Sequence, residues 1–426
     1  MGKSRSARWM PTWNVSGAWN VHEESWFNKL QPALSNLTFK LSYSLTADRG
    51  PSSVTNSRVV IMAENPWRPS AGDNESSLYI AQLANNELTY EKKHELNFGI
   101  DAGFLNNRIN FTFDIYSRRN YDLIGVINTL GTGGEPRKYG NVAKMKSNGV
   151  EIALNTVNIK TKDFTWTTDL IYSHMHNEVT ELNTLNRMYD YISGSGFTMP
   201  GYPQRSLFSI PFMGLNNEGL PTFLDQDGNV SVTGINMQEY DPERLKFLKY
   251  EGPVDPTDVG SLGNVFRYKG VTLNLFITYS FGNVVRLDPV FSSSYSDLTA
   301  TPKEFKDRWV KPGDENFTNV PVIASKQQLN NIAYLSTAYQ AYNYSTERVA
   351  KGDFIRMKEI SLGYEFPKSI TQPLRLSNLS LKLMATNLFL IYADKKLNGQ
   401  DPEFFNAGGV ANPMPKQFTL TLKLGI

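Results

Sequence analysis

The feature that most constrains the fold is a strict alternation of oily and polar side chains in residues 94–118. Residues 94–104 and 109–118 each alternate, and a turn at 105–108 separates them. Successive side chains of a strand point to opposite faces, so each half predicts a strand with one oily and one wet face. About ten residues of tilted strand cross a bilayer core, whereas strands of soluble proteins usually have about five or six. The stretch therefore predicts a membrane-embedded β-hairpin.

The same alternation recurs along the whole chain and gives about eleven predicted spanning strands. A short helical turn is predicted at residues 23–30, after the first strand. Besides the hairpin, the predicted strands are 13–20, 37–46, 150–155, 165–172, 262–268, 271–281, 360–366, 379–385 and 418–426.

The connections between these strands are short at one end and long at the other. Predicted turns lie at 105–108, 157–163, 269–270 and 367–378. This asymmetry is typical of outer-membrane barrels, which have short periplasmic turns and long extracellular loops. We predict an all-β transmembrane antiparallel β-barrel in a Gram-negative outer membrane. The predicted extracellular loops are about 48–91, 119–147, 177–259, 283–351 and 390–415.

Composition excludes several other classes. The 426 residues show no linker or charge run, so we predict one architectural unit, residues 1–426. With 43 basic and 41 acidic residues the net charge is +2, and no nucleic-acid partner is predicted. There is no cysteine, which excludes a disulfide framework and a thiolate metal site. No run reaches the roughly 18 apolar residues of a transmembrane helix. Residues 1–5 are basic, but no signal-peptide apolar segment follows.

No side chain is predicted as catalytic, metal-ligating or cofactor-binding, and the substrate-binding residues are unknown. The four histidines are scattered, and a girdle or loop-edge role is favoured over a metal site for His174 and His176. Aromatic residues make up 12% of the chain, which suits either membrane-interface girdles or carbohydrate-stacking surfaces.

Three local motifs invite a functional interpretation, and each has a structural alternative that we favour. The glycine-rich segment 131–136 lacks the Lys-Ser/Thr of a phosphate-binding loop, so it predicts a flexible loop. Residues 225–229 resemble the start of a calcium loop, but Asn236 stands where that loop needs Glu, so an Asp-Gly turn is predicted. Residues 301–304 form a capping box and predict a local helix, with Phe305 and Trp309 one turn apart.

Together the segments resemble the carboxy-terminal part of the SusC/RagA-type TonB-dependent outer-membrane transporters of the Bacteroidetes. The resemblance covers nearly the whole chain, although each segment alone is a generic barrel strand or loop. It rests on HELNFGIDAGFLNNRINFTFDIYSRRNYDLI from position 94, NGVEIAL (148–154), GSLGNVFRYKGVTLNLFITYSFGN (260–283), FKDRWVKPGDE (305–315), GDFIRMKEISLGYEFP (352–367) and ATNLFLIYADKKLNGQDPEF (385–404).

The resemblance implies a 22-stranded barrel, a plug domain and a TonB box that the energised TonB-ExbB-ExbD complex pulls. It also implies a SusD-like surface lipoprotein as a lid, and import of oligosaccharides or oligopeptides. Loop aromatics would touch a ligand or that lid, or else pack within their own loops. These are Trp309, Tyr339, Tyr342, Phe404 and Phe405.

This sequence shows about half of the expected strands and no plug, TonB box or signal peptide, and Ile426 stands where barrels commonly end on an aromatic. An open half-barrel would leave unpaired edges, and each unsatisfied backbone group costs several kcal/mol in hydrocarbon. We therefore predict the carboxy-terminal fragment of a transporter, completed by the missing plug and barrel half.

Two other functions remain as alternatives. A passive porin-like channel has the same wall, but the long loops argue against it. A secreted β-rich glycan-active protein is the remote alternative, in which Asp401 and Glu403 would act as acid and base. Because Asp401-Pro402-Glu403 also fits a loop turn, we predict that the chain is not an enzyme.

Overall fold

The computed structural model describes residues 9–50, 59–65, 76–132, 137–182, 186–193, 196–291, 303–404 and 415–425. The predictions made for residues 1–5, Gly133 to Pro136, Thr301, Pro302, Phe405 and Ile426 lie outside these residues.

Strands dominate the described residues. In chain order they are β1 (Trp13–Asn20), β2 (Leu34–Asp48), β3 (Val60–Glu64), β4 (Ser77–Gln82), β5 (Glu91–Phe104), β6 (Ile109–Asn128), β7 (Arg137–Lys160), β8 (Phe164–Leu182), β9 (Ser206–Ser209), β10 (Phe212–Leu215), β11 (Pro221–Leu224), β12 (Val230–Ser231), β13 (Lys249–Pro253), β14 (Asp258–Tyr268), β15 (Val271–Phe281), β16 (Val284–Arg286), β17 (Val349–Lys351), β18 (Phe354–Glu365), β19 (Asn378–Ala393) and β20 (Gln417–Gly425).

The helices are short and lie in the connections. The α-helices are α1 (Met188–Ile192), α2 (Lys326–Asn331), α3 (Leu335–Asn343) and α4 (Lys368–Thr371). The 3-10 helices are Val21–Glu23, Phe27–Leu30, Arg244–Phe247, Lys303–Asp307, Asp314–Asn316, Thr346–Arg348, Lys395–Leu397 and Pro402–Phe404.

Eleven of the described strands form one antiparallel sheet in the order β1-β2-β5-β6-β7-β8-β14-β15-β18-β19-β20, so each strand of this sheet pairs with the next sheet strand along the chain. The predicted count of about eleven strands and their antiparallel pairing are confirmed, and the order is that of a meander. Among the described strands, β1 pairs only with β2 and β20 only with β19, so the sheet is open.

Several strands are longer than predicted. β6 and β7 stay paired out to Asn128 and Arg137, well inside the range 119–147 that was predicted as loop. β8 likewise continues to Leu182. These extensions lack a clean oily face, so the alternation does not reveal them, and the ladder of backbone hydrogen bonds holds them together. The turn predicted at 157–163 shrinks to 161–163, since β7 ends at Lys160 and β8 begins at Phe164.

The two faces of the sheet differ as predicted. One face carries exposed large hydrophobic side chains, which include Leu41, Leu96, Ile115, Leu362 and Leu383. We call it the apolar face, and the opposite side the polar face.

Aromatic rings flank both ends of the apolar face. At the end with long connections, ring centroids are 5.2 Å apart for Trp13 and Tyr43 and 5.7 Å apart for Tyr43 and His94. At the end with short turns, Trp166 stacks on Phe266 at 5.6 Å. Such belts are typical of the two interfaces of a membrane barrel.

The connection between β8 and β14 and the connection between β15 and β18 fold together, and we call their described residues the loop body. Its core includes Met188, Ile192, Phe223 and Tyr342, which are fully buried. Here the helix predicted from residue 301 is a 3-10 helix over Lys303–Asp307. The loop body places a packed structure at one rim of the sheet.

Candidate functional site: the polar face and the loop body

The polar face carries a charge network across β2, β5 and β6. Lys40 pairs with Asp101, which also accepts a hydrogen bond of 3.1 Å from the Thr112 hydroxyl. The Glu95 carboxylate lies 3.1 Å from Nε of Arg118 and 2.8 Å from Nζ of Lys93. Alternation puts these residues on one face, but only the register of the strands brings them together.

One tyrosine of this face packs against the backbone of the next strand. The Tyr116 ring lies over Gly149, where an added Cβ would come within 2.3 Å of the ring. The Arg118 guanidinium lies 3.8 Å from the centroid of the same ring, a distance that favours a cation–π contact. Tyr116 is buried. The polar face is therefore closely packed at β6 and β7.

Farther along the eleven-stranded sheet, which we call the wall, Glu359 of β18 contacts side chains of two other strands. It accepts a hydrogen bond of 3.1 Å from the Asn274 amide, and Lys382 Nζ lies 3.8 Å away. The side chains on this face are hydrogen-bonding and charged, which suits a water-filled passage and not a lipid contact.

Two arginine side chains hold the segments of the loop body together. Arg286 donates to the Ser209 hydroxyl at 3.0 Å, to the Ser345 carbonyl at 3.1 Å and to the Phe208 carbonyl at 2.6 Å. Burial lowers the pKa of Arg286 to about 10, so its guanidinium stays charged at neutral pH. Arg348, also buried, pairs with Glu304 and donates to the Asp288 carbonyl at 2.7 Å. These bonds join β9, β16, β17 and the segments beside them.

A third buried arginine fixes the connection after β19. Arg356, 5% exposed, pairs with Asp401, and its Nε lies 3.0 Å from Glu403 Oε2. The Glu403 amide also donates to Asp401 Oδ1 at 3.1 Å, which closes a turn. The two carboxylates that a glycan-active protein would use as acid and base are thus partners of one arginine.

Three of the five aromatic residues singled out in the loops are buried. Trp309 and Tyr339 are 8% exposed and Tyr342 is fully buried, so they pack within the loop body. The Trp309 indole covers Gly219 and donates to Glu315 Oε2 at 2.8 Å. Phe404 is half-buried.

Two other aromatic side chains of the loop body, which were not predicted as contact residues, are exposed. Phe317 is 90% exposed and Tyr334 is 73% exposed, both in the connection between β15 and β18. Tyr334 has a φ of 62°, an unusual backbone conformation for a large side chain. Their exposure depends on how the loop body packs, so it follows from contacts between segments that are distant in sequence.

The remaining motifs are structural. Asp225 Oδ1 accepts from the amides of Asp227 at 3.0 Å and Asn229 at 2.9 Å, which is the predicted Asp-Gly turn. The Nδ1 atom of His174 lies 2.9 Å from Asp258 Oδ1, at the start of β14. Within the described residues, no three His, Asp or Glu side chains are placed to hold a metal ion. No helix of this part of the chain combines the length and hydropathy needed to cross a membrane.

Comparison with curated proteins shows that the chain is similar to TonB-dependent receptors. It is 25% identical over 448 residues to the TonB-dependent receptor P39 of Formosa agariphila, and 26% identical over 449 residues to the TonB-dependent receptor SusC of Bacteroides thetaiotaomicron. The alignments cover 93% and 99% of this chain but 40% of each relative. The chain thus spans about two fifths of the length of the curated relatives it matches. No protein-family model matches the sequence.

Comparison with solved structures gives the fold. The structure of the RagAB peptide transporter matches with a TM-score of 0.75 at 23% identity, covering 99% of this chain and 44% of that chain. The RagAB peptide importer in the "open-open" state matches with a TM-score of 0.76 at 22% identity, with coverages of 100% and 44%. The open sheet described above therefore has the fold of part of a larger transport barrel.

Proposed function

We propose that this chain forms wall and outer loops of an active importer, because it is similar over nearly its whole length to TonB-dependent receptors of the SusC/RagA type and has the fold of part of the RagAB peptide transporter. The substrates would be oligosaccharides or oligopeptides. The observation that carries the proposal is the open eleven-stranded meander with one apolar and one polar face. A lipid-facing side and a hydrated side are what the wall of a transport barrel needs.

The unpaired edges of β1 and β20 support completion by further strands. Every residue of β1 is exposed, and no described strand pairs with the amide and carbonyl groups of its outer edge. In hydrocarbon these groups need partners, because each unsatisfied one costs several kcal/mol. We propose that the remaining barrel strands pair with β1 and β20, and that a plug fills the polar interior against β2, β5 and β6.

The lengths of the connections support one orientation of the barrel in the membrane. The loop body and the other long connections, which correspond to the predicted ranges 48–91, 119–147, 177–259, 283–351 and 390–415, would lie outside the cell. The short turns, such as 105–108 and 269–270, would lie in the periplasm.

The exposed aromatics of the loop body suit contact with a SusD-like lipoprotein lid. Large apolar side chains at 90% and 73% exposure, as for Phe317 and Tyr334, favour a protein partner, since aromatic anchors dominate many interfaces. The double variant Phe317→Ser/Tyr334→Ser should weaken lid binding about tenfold or more. Val230→Ser, at a 58% exposed position on β12, is the matched control. Unchanged lid affinity in the double variant would remove this surface from the lid interface.

Energy would come from the TonB-ExbB-ExbD complex through the plug and TonB box, so transport by the complete protein should depend on the proton-motive force. The test is uptake of fluorescent oligosaccharide and oligopeptide panels by cells that express the complete transporter, with and without a protonophore. Loss of uptake with protonophore supports the importer. Uptake that persists, together with fast swelling of liposomes that hold the protein, would instead establish a passive porin-like channel.

The non-enzymatic function is supported by the roles of Asp401 and Glu403. Both carboxylates bind Arg356, and the Asp401 carboxylate also accepts from the Glu403 backbone amide, so neither is placed as a free acid or base. Incubation of the purified protein with glycan panels should leave them intact, whereas released reducing ends would favour the glycan-active alternative.

A further inference from the structure

On the apolar face, three successive rows of side chains across β5, β6, β7 and β8 become increasingly polar toward the end with long connections. The register of the strands places the members of each row side by side. The innermost row is mainly apolar and comprises Phe98, Ile115, Val150 and His174. The middle row comprises Leu96, Ser117, Asn148 and His176. The outermost row comprises His94, Arg119, Lys146 and Glu178.

Two cations of the outermost row lie directly opposite each other. Arg119 and Lys146 are cross-strand partners on the same face, and both are exposed. Like charges at directly opposed positions destabilise a strand pair unless a counter-charge neutralises them. Lys146 has one partner, Glu178 at 2.8 Å, whereas Arg119 has no ion pair or side-chain hydrogen bond with any residue that the structure describes. The row keeps one cationic charge unbalanced.

A groove of about 380 Å³ lies directly below this pair of cations. Its lining is largely apolar and includes Leu96, Phe98, Ile115 and Val150. Toward the rim it is bordered by Asn148 and other polar side chains of the middle row. The surface thus combines an apolar groove at membrane depth with unbalanced positive charge at the level of the interface.

We propose that Arg119 and Lys146 bind the phosphate of a phosphorylated glycolipid in the outer leaflet, with an acyl chain of that lipid in the groove. A guanidinium binds phosphate oxygens in a bidentate manner, and a neighbouring ammonium adds a second charge-assisted bond. The aromatic pair His94 and Tyr121, with ring centroids 5.7 Å apart, lies beside the site at the depth where headgroups are expected. A soluble anion would use the cations but not the groove. The proposal rests on the orientation proposed above, with the long connections outside.

Binding can be measured on the complete transporter in detergent. The purified protein is titrated with lipid A, a phosphorylated glucosamine lipid, and with its dephosphorylated form, and bound lipids are counted by native mass spectrometry. We expect the double variant Arg119→Gln/Lys146→Gln to bind lipid A at least about tenfold more weakly than the wild type. Lys395→Gln, at an exposed lysine in the connection after β19, is the matched control and should bind like the wild type.

Three outcomes would overturn the proposal. The first is equal lipid A affinity in the double variant, provided that its barrel shows normal heat-modifiable migration. The second is equally tight binding of the dephosphorylated lipid by the wild type. The third is displacement of lipid A by millimolar inorganic phosphate, which would assign the cations to a soluble anion. Lipid binding in detergent needs no transport, so its failure is distinct from a failure of the uptake assay.

Discussion

Replacing Arg356 by glutamine should release the connection after β19 from the wall. Arg356 is 5% exposed and the side chain of Asp401 is 12% exposed, so the change leaves a largely buried carboxylate without its counter-charge. Removing one partner of a buried ion pair costs about 3–5 kcal/mol. We take the lower end, about 3 kcal/mol, because the second partner, Glu403, is 36% exposed and water can screen it.

That free energy corresponds to roughly a hundredfold shift in the opening equilibrium of the connection. The assay is hydrogen exchange followed by mass spectrometry, read at the amides of Glu403 and Phe404, which donate to Asp401. In the regime where exchange reports the opening equilibrium, exchange in Arg356→Gln should be faster by that factor.

Two further variants should increase the rate of hydrogen exchange by smaller factors. Asp401→Asn keeps the Oδ1 acceptor of the turn and leaves Glu403 on Arg356, so we expect about tenfold faster exchange. Lys358→Gln removes a contact of 3.5 Å to Glu403 at the protein surface and should change exchange by about twofold or less. The reasoning is refuted if Arg356→Gln exchanges no faster than Lys358→Gln.

Three other outcomes are expected. Gly149→Ala should destabilise the completed barrel by about 1–3 kcal/mol, because the new Cβ collides with the Tyr116 ring, and it should lower the temperature of the electrophoretic heat shift. Gly17→Ala, with no atom within 4 Å of the new Cβ, is its control. Hydrogen bonds from Trp309 and from backbone amides lower the pKa of Glu315 below 4.5, so its stabilisation of the loop is complete above that pH and is lost as the pH falls through the lowered value. Trp309 fluorescence should follow this loss, and Glu315→Gln should abolish the transition. Finally, the 426-residue chain expressed alone should give no heat-modifiable barrel, whereas co-expression with the missing half should restore one.

The eleven wall strands could be predicted because their signal is local. Alternation at a period of two appears within one strand and needs no partner. The outer ends of β6 and β7 could not be predicted in this way, because pairing from Ile124 to Asn128 with residues 137–141 depends on backbone bonds and leaves little trace in the side chains. The sequence therefore predicts that these strands exist, and it does not predict how long they are.

The loop body and the connection after β19 depend on contacts between segments far apart in sequence. Arg356 meets Asp401 across 45 positions, and Arg286 reaches the Phe208 carbonyl across 78. The same limit applies to the loop aromatics. Tyr342 is fully buried and Phe317 is 90% exposed. The burial of Tyr342 depends on distant segments, since its ring packs against Phe212 at 5.5 Å and Phe291 at 5.6 Å.

The meander order of the wall has a consequence for how such a protein enters the membrane. Because every strand of the sheet pairs with the next sheet strand along the chain, the sheet can grow one strand at a time, and each arriving strand satisfies the free edge left by the one before. Loop-closure entropy grows only slowly with loop length, so the long connections between β8 and β14 and between β15 and β18 add a modest cost. The costly event is the last one, when the first and final strands must find the ends of a distant segment, and that single seam decides whether the finished cylinder forms.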